Sequence, residues 1–256
     1  HLHPLIFSEL GKGFDLLQAL NHGLLPSIYD SDAPEEDLRA YTADYLQQEI
    51  AQEGLTRNIP AFSRFLEVSA LCNGQQINYT EISNDAQVAR STVREYFQIL
   101  QDTLIAFELP AWKKSKVRKA MTTSKFYFFD VGVAASLQGR GPVRESSPLF
   151  GPAFEHYLFH ELKTFVDYTQ SGSLAYWRST SQFEVDFILN DSVAIEVKAK
   201  KNLSPRDFKA MKALKEEKRF AHYLLVCLEE RARSVEGIKV LPWQDFIKKL
   251  WARDFV

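Results

Sequence analysis

The chain has 256 residues, 45% hydrophobic and 25% charged, which is the make-up of an ordinary globular protein with room for two modest domains or one large one. A net charge of −2 excludes a whole-chain attraction to nucleic acid, so any such attraction must be local. Two distant cysteines, Cys72 and Cys227, exclude a thiolate zinc cluster and a disulfide framework, and no run approaches the ~18 apolar residues of a membrane span, so a cytoplasmic protein with no membrane partner is expected.

The chain opens on HLHPLIFSEL without an initiator Met, as a processed product or an excised fragment of something longer would. The acidic stretch YDSDAPEED, with Ser31 or Asp32 as cap, predicts a loop opening a helix over Asp37–Glu53, striped by Leu38, Tyr41, Tyr45, Leu46 and Ile50. A second helix is expected over residues 60–73, with Pro60 at its start and Asn-Gly after its end. From Asn78 to Leu109 the pattern is short helix, tight turn, longer helix, with Ser91 or Thr92 as cap and Val93, Tyr96, Phe97, Leu100 and Leu104 buried. This is helix-turn-helix spacing. Two extended runs follow and bracket Lys113, Lys114, Lys116, Arg118 and Lys119; paired, they would make a winged helix. Such a cation cluster suits phosphate contact, and it also suits a basic hairpin that only keeps the module soluble.

GRGPVRESSPLFGP, over 139–152, is the clearest domain boundary. Beyond it, the pattern predicts a helix over Phe154–Tyr168 and strands over Leu174–Arg178, Glu184–Leu189 and Val193–Lys198. A helix capped by Ser204 and running to Arg219 comes next, then strands over Tyr223–Leu228 and Ile238–Leu241, and a last helix over Gln244–Leu250. That order is an α/β layer sandwich with a mixed central sheet.

The chemistry concentrates in EVDFILNDSVAIEVKAKK, from Glu184 to Lys201. Period-two alternation puts Glu184 and Asp186 on one face of the first strand, and Glu196 and Lys198 on one face of the second. If the apolar faces share one core, Asp186 and Glu196 converge as hard oxygen ligands for a divalent cation, with Lys198 beside them to act on a water or a phosphate charge. The same residues also fit a solvated hairpin face held by weak cross-strand pairs. Arg178, one strand earlier, could meet a phosphate or a carboxylate. His156 and His160 lack the HExxH arrangement and are expected at the surface, and the tryptophans are expected as packing anchors.

The D-x9-E-x-K spacing on a hairpin, preceded by a helix carrying Glu155 in GPAFEHYLFHEL, resembles the PD-(D/E)xK nuclease superfamily over residues 150–250, although Val185 stands where the Pro would be. The resemblance implies metal-binding roles for Asp186 and Glu196, an auxiliary carboxylate at Glu155, a catalytic Lys198, and Mg²⁺ or Mn²⁺ as cofactor. Along nearly the whole chain, the motifs HPLIFSEL, GLLPSIYDSD, FYFFDVGVAASLQG, FGPAFEHYLFHEL, EVDFILN, AIEVKA and IKVLPWQDFI occur in one order. That order is similar to the C-terminal portion of prokaryotic AAA-type ATPases that end in a domain of unknown function. This likeness implies the end of an ATPase core and helical lid over 1–75, a winged helix-turn-helix over 76–140, and a restriction-endonuclease-like α/β domain over 141–256. The implied partners are DNA, contacted by Lys113, Lys114, Lys116, Arg118, Lys119 and Arg178, and an N-terminal ATPase domain of the parent chain. Oligomeric state stays open. No G-x-x-x-x-G-K-[ST] is present, and Gly11–Gly13 has neither the spacing nor the hydroxyl, so this stretch is expected not to bind or hydrolyse ATP.

Overall fold

The computed structural model describes residues 2–45, 56, 58–170 and 172–255. They fall into two compact units, one built from Leu2–Glu108 with Lys125–Tyr157, the other from Leu109–Ser124 with the chain from Leu158 onward. The segments expected as lid and helix-turn-helix thus lie in one unit, apart from 109–124. Among the described residues no helix is long and apolar enough to cross a membrane.

The first unit is mainly helical: α1 (Phe7–Leu10), α2 (Leu16–His22), α3 (Pro26–Tyr29), α4 (Pro34–Ala40), α5 (Ile59–Leu71), α6 (Tyr79–Asp85), α7 (Arg90–Asp102), strands β1 (Ala106–Leu109) and β2 (Lys125–Phe128), and α8 (Val131–Leu137). Helix α4 begins earlier than expected, because Pro34 suits its first turn and Glu35, Glu36 and Asp37 face the positive end of its dipole. Its cap position is Ala33, and the Ser31 hydroxyl turns instead to Asp37 and the Ala33 N–H. Leu46 and Ile50 of the expected stripe lie outside the described residues. Helices α5 and α6 are capped by Asn58 and Asn78, which accept from the N–H groups of Ala61 and Glu81.

Helix α7 starts at Arg90 behind Ala89 with no side-chain cap, so Ser91 and Thr92 lie inside it rather than capping it. Val93, Tyr96, Phe97 and Leu100 are buried as expected. Leu104 is not: the helix stops at Asp102, and a left-handed φ of 60° turns Leu104 outward. The core of this unit is aromatic. Phe65 meets Phe97 edge-on at 5.0 Å, and Phe97 meets Phe126 at 4.8 Å. Each such ring, fully buried, contributes roughly 2–3 kcal/mol.

Strands β1 and β2 pair, as a wing would, but the cationic segment between them does not form a wing tip. It is a strap in the second unit. There Trp112 N–H donates to Tyr176 O at 2.6 Å, Tyr176 N–H to Pro110 O at 3.0 Å and Met121 N–H to Arg178 O at 2.7 Å. Ala111 and Trp112 are buried, which anchors one end of the strap.

The second unit continues with α9 (Phe150–Thr169, whose first turns belong to the helical unit), β3 (Leu174–Arg178), β4 (Glu184–Leu189), β5 (Val193–Lys198), α10 (Lys209–Lys215), β6 (His222–Cys227), β7 (Arg233–Val235), β8 (Ile238–Pro242) and α11 (Trp243–Trp251). The sheet is mixed, as expected, in the order β3-β4-β5-β6-β8-β7. Its β3-β4, β4-β5 and β7-β8 pairs are antiparallel, and β5-β6 and β6-β8 parallel. Ser204 stands at the N-cap position, but of a 3-10 turn over Pro205–Phe208; its N–H and its hydroxyl both donate to the Asp207 carboxylate and its side chain accepts no N–H of the turn, and the helix ends at Lys215. The three-residue β7 carries too short a pattern to be read in advance.

Both faces of the central hairpin are covered. Ile188 and Ala194 pack with Phe208, Met211 and Leu214 on one side, while Phe187 meets Phe159 of α9 on the other at 6.3 Å. The expectation of one apolar and one wet face per strand is therefore corrected: β4 and β5 are interior strands of a sandwich.

Candidate active site

The hairpin turn is local chemistry. Asn190 and Asp191 both take φ near +55°, a conformation these residue types tolerate, and the strands flanking them are as the alternation predicts. Phe187 pairs with Ile195 and Ile188 with Ala194. Stepping that register outward sets Asp186 opposite Glu196. Here the ladder gives way to a side chain, and Asp186 Oδ2 accepts the Val197 N–H at 2.7 Å. Lys198 Nζ lies 2.5 Å from Glu196 Oε1.

Exposure tests the solvated-face reading of the hairpin. Asp186 is 8% exposed and Glu196 3%, so neither lies on a solvated face. Sequestered carboxylates are costly, and an apolar pair of similar volume is commonly as stable or more so. The sheet interior therefore carries two acids, with a lysine beside them, that stability alone does not call for. Among the described residues no group of three or more His, Cys, Asp or Glu side chains is placed to hold a metal ion. Glu155 has its own contacts within the helical unit, accepting from Tyr127 Oη at 2.6 Å and Lys125 Nζ at 3.2 Å.

Arg178 bridges to Glu184 at 3.1 Å and donates to Gln182, at the same end of β3 and β4 as Asp186. Of the five strap cations, Lys114 pairs with Asp191 at 2.5 Å, and Arg118 pairs with Glu216 at 2.7 Å and covers the Phe183 ring. The Lys114 contact holds the Asp191 carboxyl below its usual range. Lys113, Lys116 and Lys119 are exposed. With strands spaced at ~4.8 Å, the strap–β3–β4–β5 order puts this edge within roughly 15 Å of the carboxylate pair.

Three residues whose roles are not legible in the sequence organise their own units. Glu217 receives the Ser115 hydroxyl and the N–H groups of Lys116, Val117 and Arg118, fastening the strap. Burial pushes its carboxyl up, but those donors outweigh burial and hold it below the usual value. In the helical unit, Asp130 caps α8 through Gly132 and Val133 and also accepts from Leu24 N–H at 2.7 Å. Burial raises its carboxyl to about 6 against these three donors. An Asp directly before an apolar run was the available signal. Asn73 accepts the Phe128 N–H and donates to His156 Nδ1, whose Nε2 faces Phe128 O at 2.7 Å. His156 and His160 are therefore buried, correcting the expected surface pair. The tryptophans are anchors as expected: Trp112 Nε1 donates to Asp191, and Trp251 Nε1 to the buried Glu161.

Two family profiles match the chain. One, described as Domain of unknown function (DUF8612), covers residues 13–144, and the other, Domain of unknown function (DUF4143), covers residues 150–246. An uncharacterized protein of Mycobacterium tuberculosis, Rv2008c, and one of Mycobacterium bovis, Mb2031c, are each 26% identical over 173 residues. That region is 65% of this chain and 38% of each relative, so the chain matches well under half of their length. No solved structure matches significantly.

Proposed function

We propose, for a chain that belongs to the DUF8612 family, that it is the DNA-associating part of an AAA-type ATPase and that its last domain hydrolyses DNA phosphodiester bonds. The observation that carries the reading is the burial of Asp186 and Glu196 beside Lys198 on adjacent interior strands, where apolar side chains would serve stability as well. The DUF4143 match over 150–246 supports the ATPase association.

The donor set fits a divalent cation. Two carboxylates offer hard oxygens, and Mg²⁺ is commonly bound through one or two carboxylates while keeping several waters. Asp186 and Glu196 would hold it, and when bound it would supply Lewis-acid stabilisation of phosphate charge. The chain's own residues do the rest. The Val197 N–H fixes the Asp186 carboxylate, Glu196 positions the Lys198 ammonium, and that ammonium orients a water or steadies phosphate charge. Lys113, Lys116, Lys119 and Arg178 would track the DNA backbone along the strap edge, with Lys114 and Arg118 fixing the strap itself.

A second reading keeps the fold as a silent binding or assembly module, with activity residing in the parent ATPase. It is favoured by the closed Lys198–Glu196 ion pair and by the lack, among the described residues, of a group of three or more His, Cys, Asp or Glu side chains placed to hold a metal ion. Incubation with linear, nicked and branched DNA in Mg²⁺ or Mn²⁺ separates them. Cleavage that disappears in Asp186→Asn and Lys198→Ala supports hydrolysis; no cleavage, or cleavage indifferent to both changes, leaves the silent module.

A further inference from the structure

The helical unit contains a cleft of about 280 Å³ that the nuclease reading does not use. Arg39 of α4 and Arg140, just beyond α8, both line it, with His22 and Asn21 from the end of α2 and Glu35 one turn before Arg39. Two guanidinium groups on one small cavity ask for an explanation.

Arg140 is half-buried and poorly supplied with acceptors. Its Nε is buried and makes no hydrogen bond, and its Nη2 lies 3.4 Å from Leu20 O, at the limit of a useful contact. Among the described residues it forms no ion pair with a carboxylate. Burial alone lowers its pKa, with no anion offsetting it. A guanidinium has five N–H donors, and desolvating them without acceptors is expensive. Arg39 is exposed, and its Nε is engaged by the Glu35 carbonyl at 3.2 Å, which leaves its remaining donors for the cleft.

The cleft is also held in shape. The Asn21 amide clamps Val143 from both sides, accepting its N–H at 2.6 Å and donating to its carbonyl at 3.0 Å. That clamp fixes the Gly139–Val143 loop carrying Arg140, so the guanidinium is placed before any ligand arrives.

We infer that this cleft binds a phosphoryl group, free or carried on a small molecule, between the guanidiniums of Arg39 and Arg140. The planar fork of Arg matches phosphate oxygens in paired hydrogen bonds, and a dianion supplies the acceptors that Arg140 lacks. Glu35, exposed at the rim, opposes the ligand and sets an upper limit on affinity. The volume suits a small molecule rather than a nucleic-acid backbone. The inference is independent of the hydrolytic reading.

The test is calorimetric titration of the full chain with inorganic phosphate and, separately, glycerol 3-phosphate, at ionic strength held constant with chloride. Saturable binding is expected for both, and tighter binding of the ester identifies a carried phosphoryl group. Arg140→Gln should weaken binding at least tenfold, Arg39→Gln severalfold, and Glu35→Gln should tighten it. If Arg140→Gln fails to fold, the opposite signs of the exposed Arg39 and Glu35 variants decide. Heats that chloride alone reproduces, or affinities that ignore all three charge changes, overturn the inference.

Discussion

The two units bury carboxylates in different ways. Asp130, 1% exposed, is met by three backbone N–H groups from two separate segments, Leu24 on one side and Gly132 with Val133 on the other. Its job is to join α2 to α8, and the neighbouring glycines show how closely they approach: a Cβ at Gly132 would fall 2.4 Å from the His22 carbonyl, and one at Gly23 would meet Asp130 itself. Asp186 and Glu196 are buried on interior strands, one docked on the Val197 N–H and the other on a lysine side chain. A carboxylate surrounded by backbone donors is a structural joint. A pair of acids on interior strands, one of them held by a lysine side chain, is the arrangement on which the proposed hydrolysis rests.

The largest effect separating the two lies in rate. Asp186→Asn and Lys198→Ala should lower DNA cleavage by on the order of 100- to 10,000-fold while the far-ultraviolet spectrum is kept. The same pattern at Asp130 would erase that distinction. Next in size is stability: Asp130→Ala strands three N–H groups and should cost roughly 2–4 kcal/mol in denaturant unfolding, with Gly132→Ala costing roughly 2–3 kcal/mol because backbone must move.

The pH responses should have opposite signs. The Asp130 carboxyl is raised to about 6 from 3.8, so between those values the folded state holds more protons than the unfolded one. Stability of the helical unit should therefore rise as pH falls through that window, by up to about 3 kcal/mol, and Asp130→Asn should flatten the slope. Glu217 is lowered from 4.5, so what it contributes is present above that value and is lost on further acidification. Protection against amide exchange, taken relative to the intrinsic rate at each pH, should fall at Lys116, Val117 and Arg118 on acidification and rise at Gly132 and Val133; parallel changes would contradict the assignment. The smallest effect is expected on the strap. Charge reversal at Lys113, Lys116 and Lys119 should weaken DNA binding and reduce its salt slope by about 0.9 for each phosphate no longer neutralised. An unchanged slope would remove the strap from the interface.

Much of the sheet unit was legible in advance. Strands β3, β4 and β5 fall where alternation put them, and the Asn190–Asp191 turn follows from residue types that accept positive φ. Asp186, Glu196 and Lys198 were legible as a constellation through their spacing and the resemblance it supports. Helix α8 was not, because VGVAASL follows the extended run FYFFD too closely for its own period to show. The strap was misread for a similar reason: a cationic run between two extended segments looks like a wing until the residues holding it, Tyr176, Arg178 and Glu217, are known.

What the sequence determined by itself is therefore what depends on near neighbours: strand phase, the hairpin turn, the Asn58 and Asn78 caps, and the order of acids and lysine along β4 and β5. Only the tertiary structure decided which side chains lose water. Helices α9 and α10 cover both faces of a hairpin that reads as half-wet, and His156, distant from Asn73 and Phe128 in sequence, is buried against them. Burial is set by contacts between segments far apart along the chain, and period and spacing carry no record of those contacts.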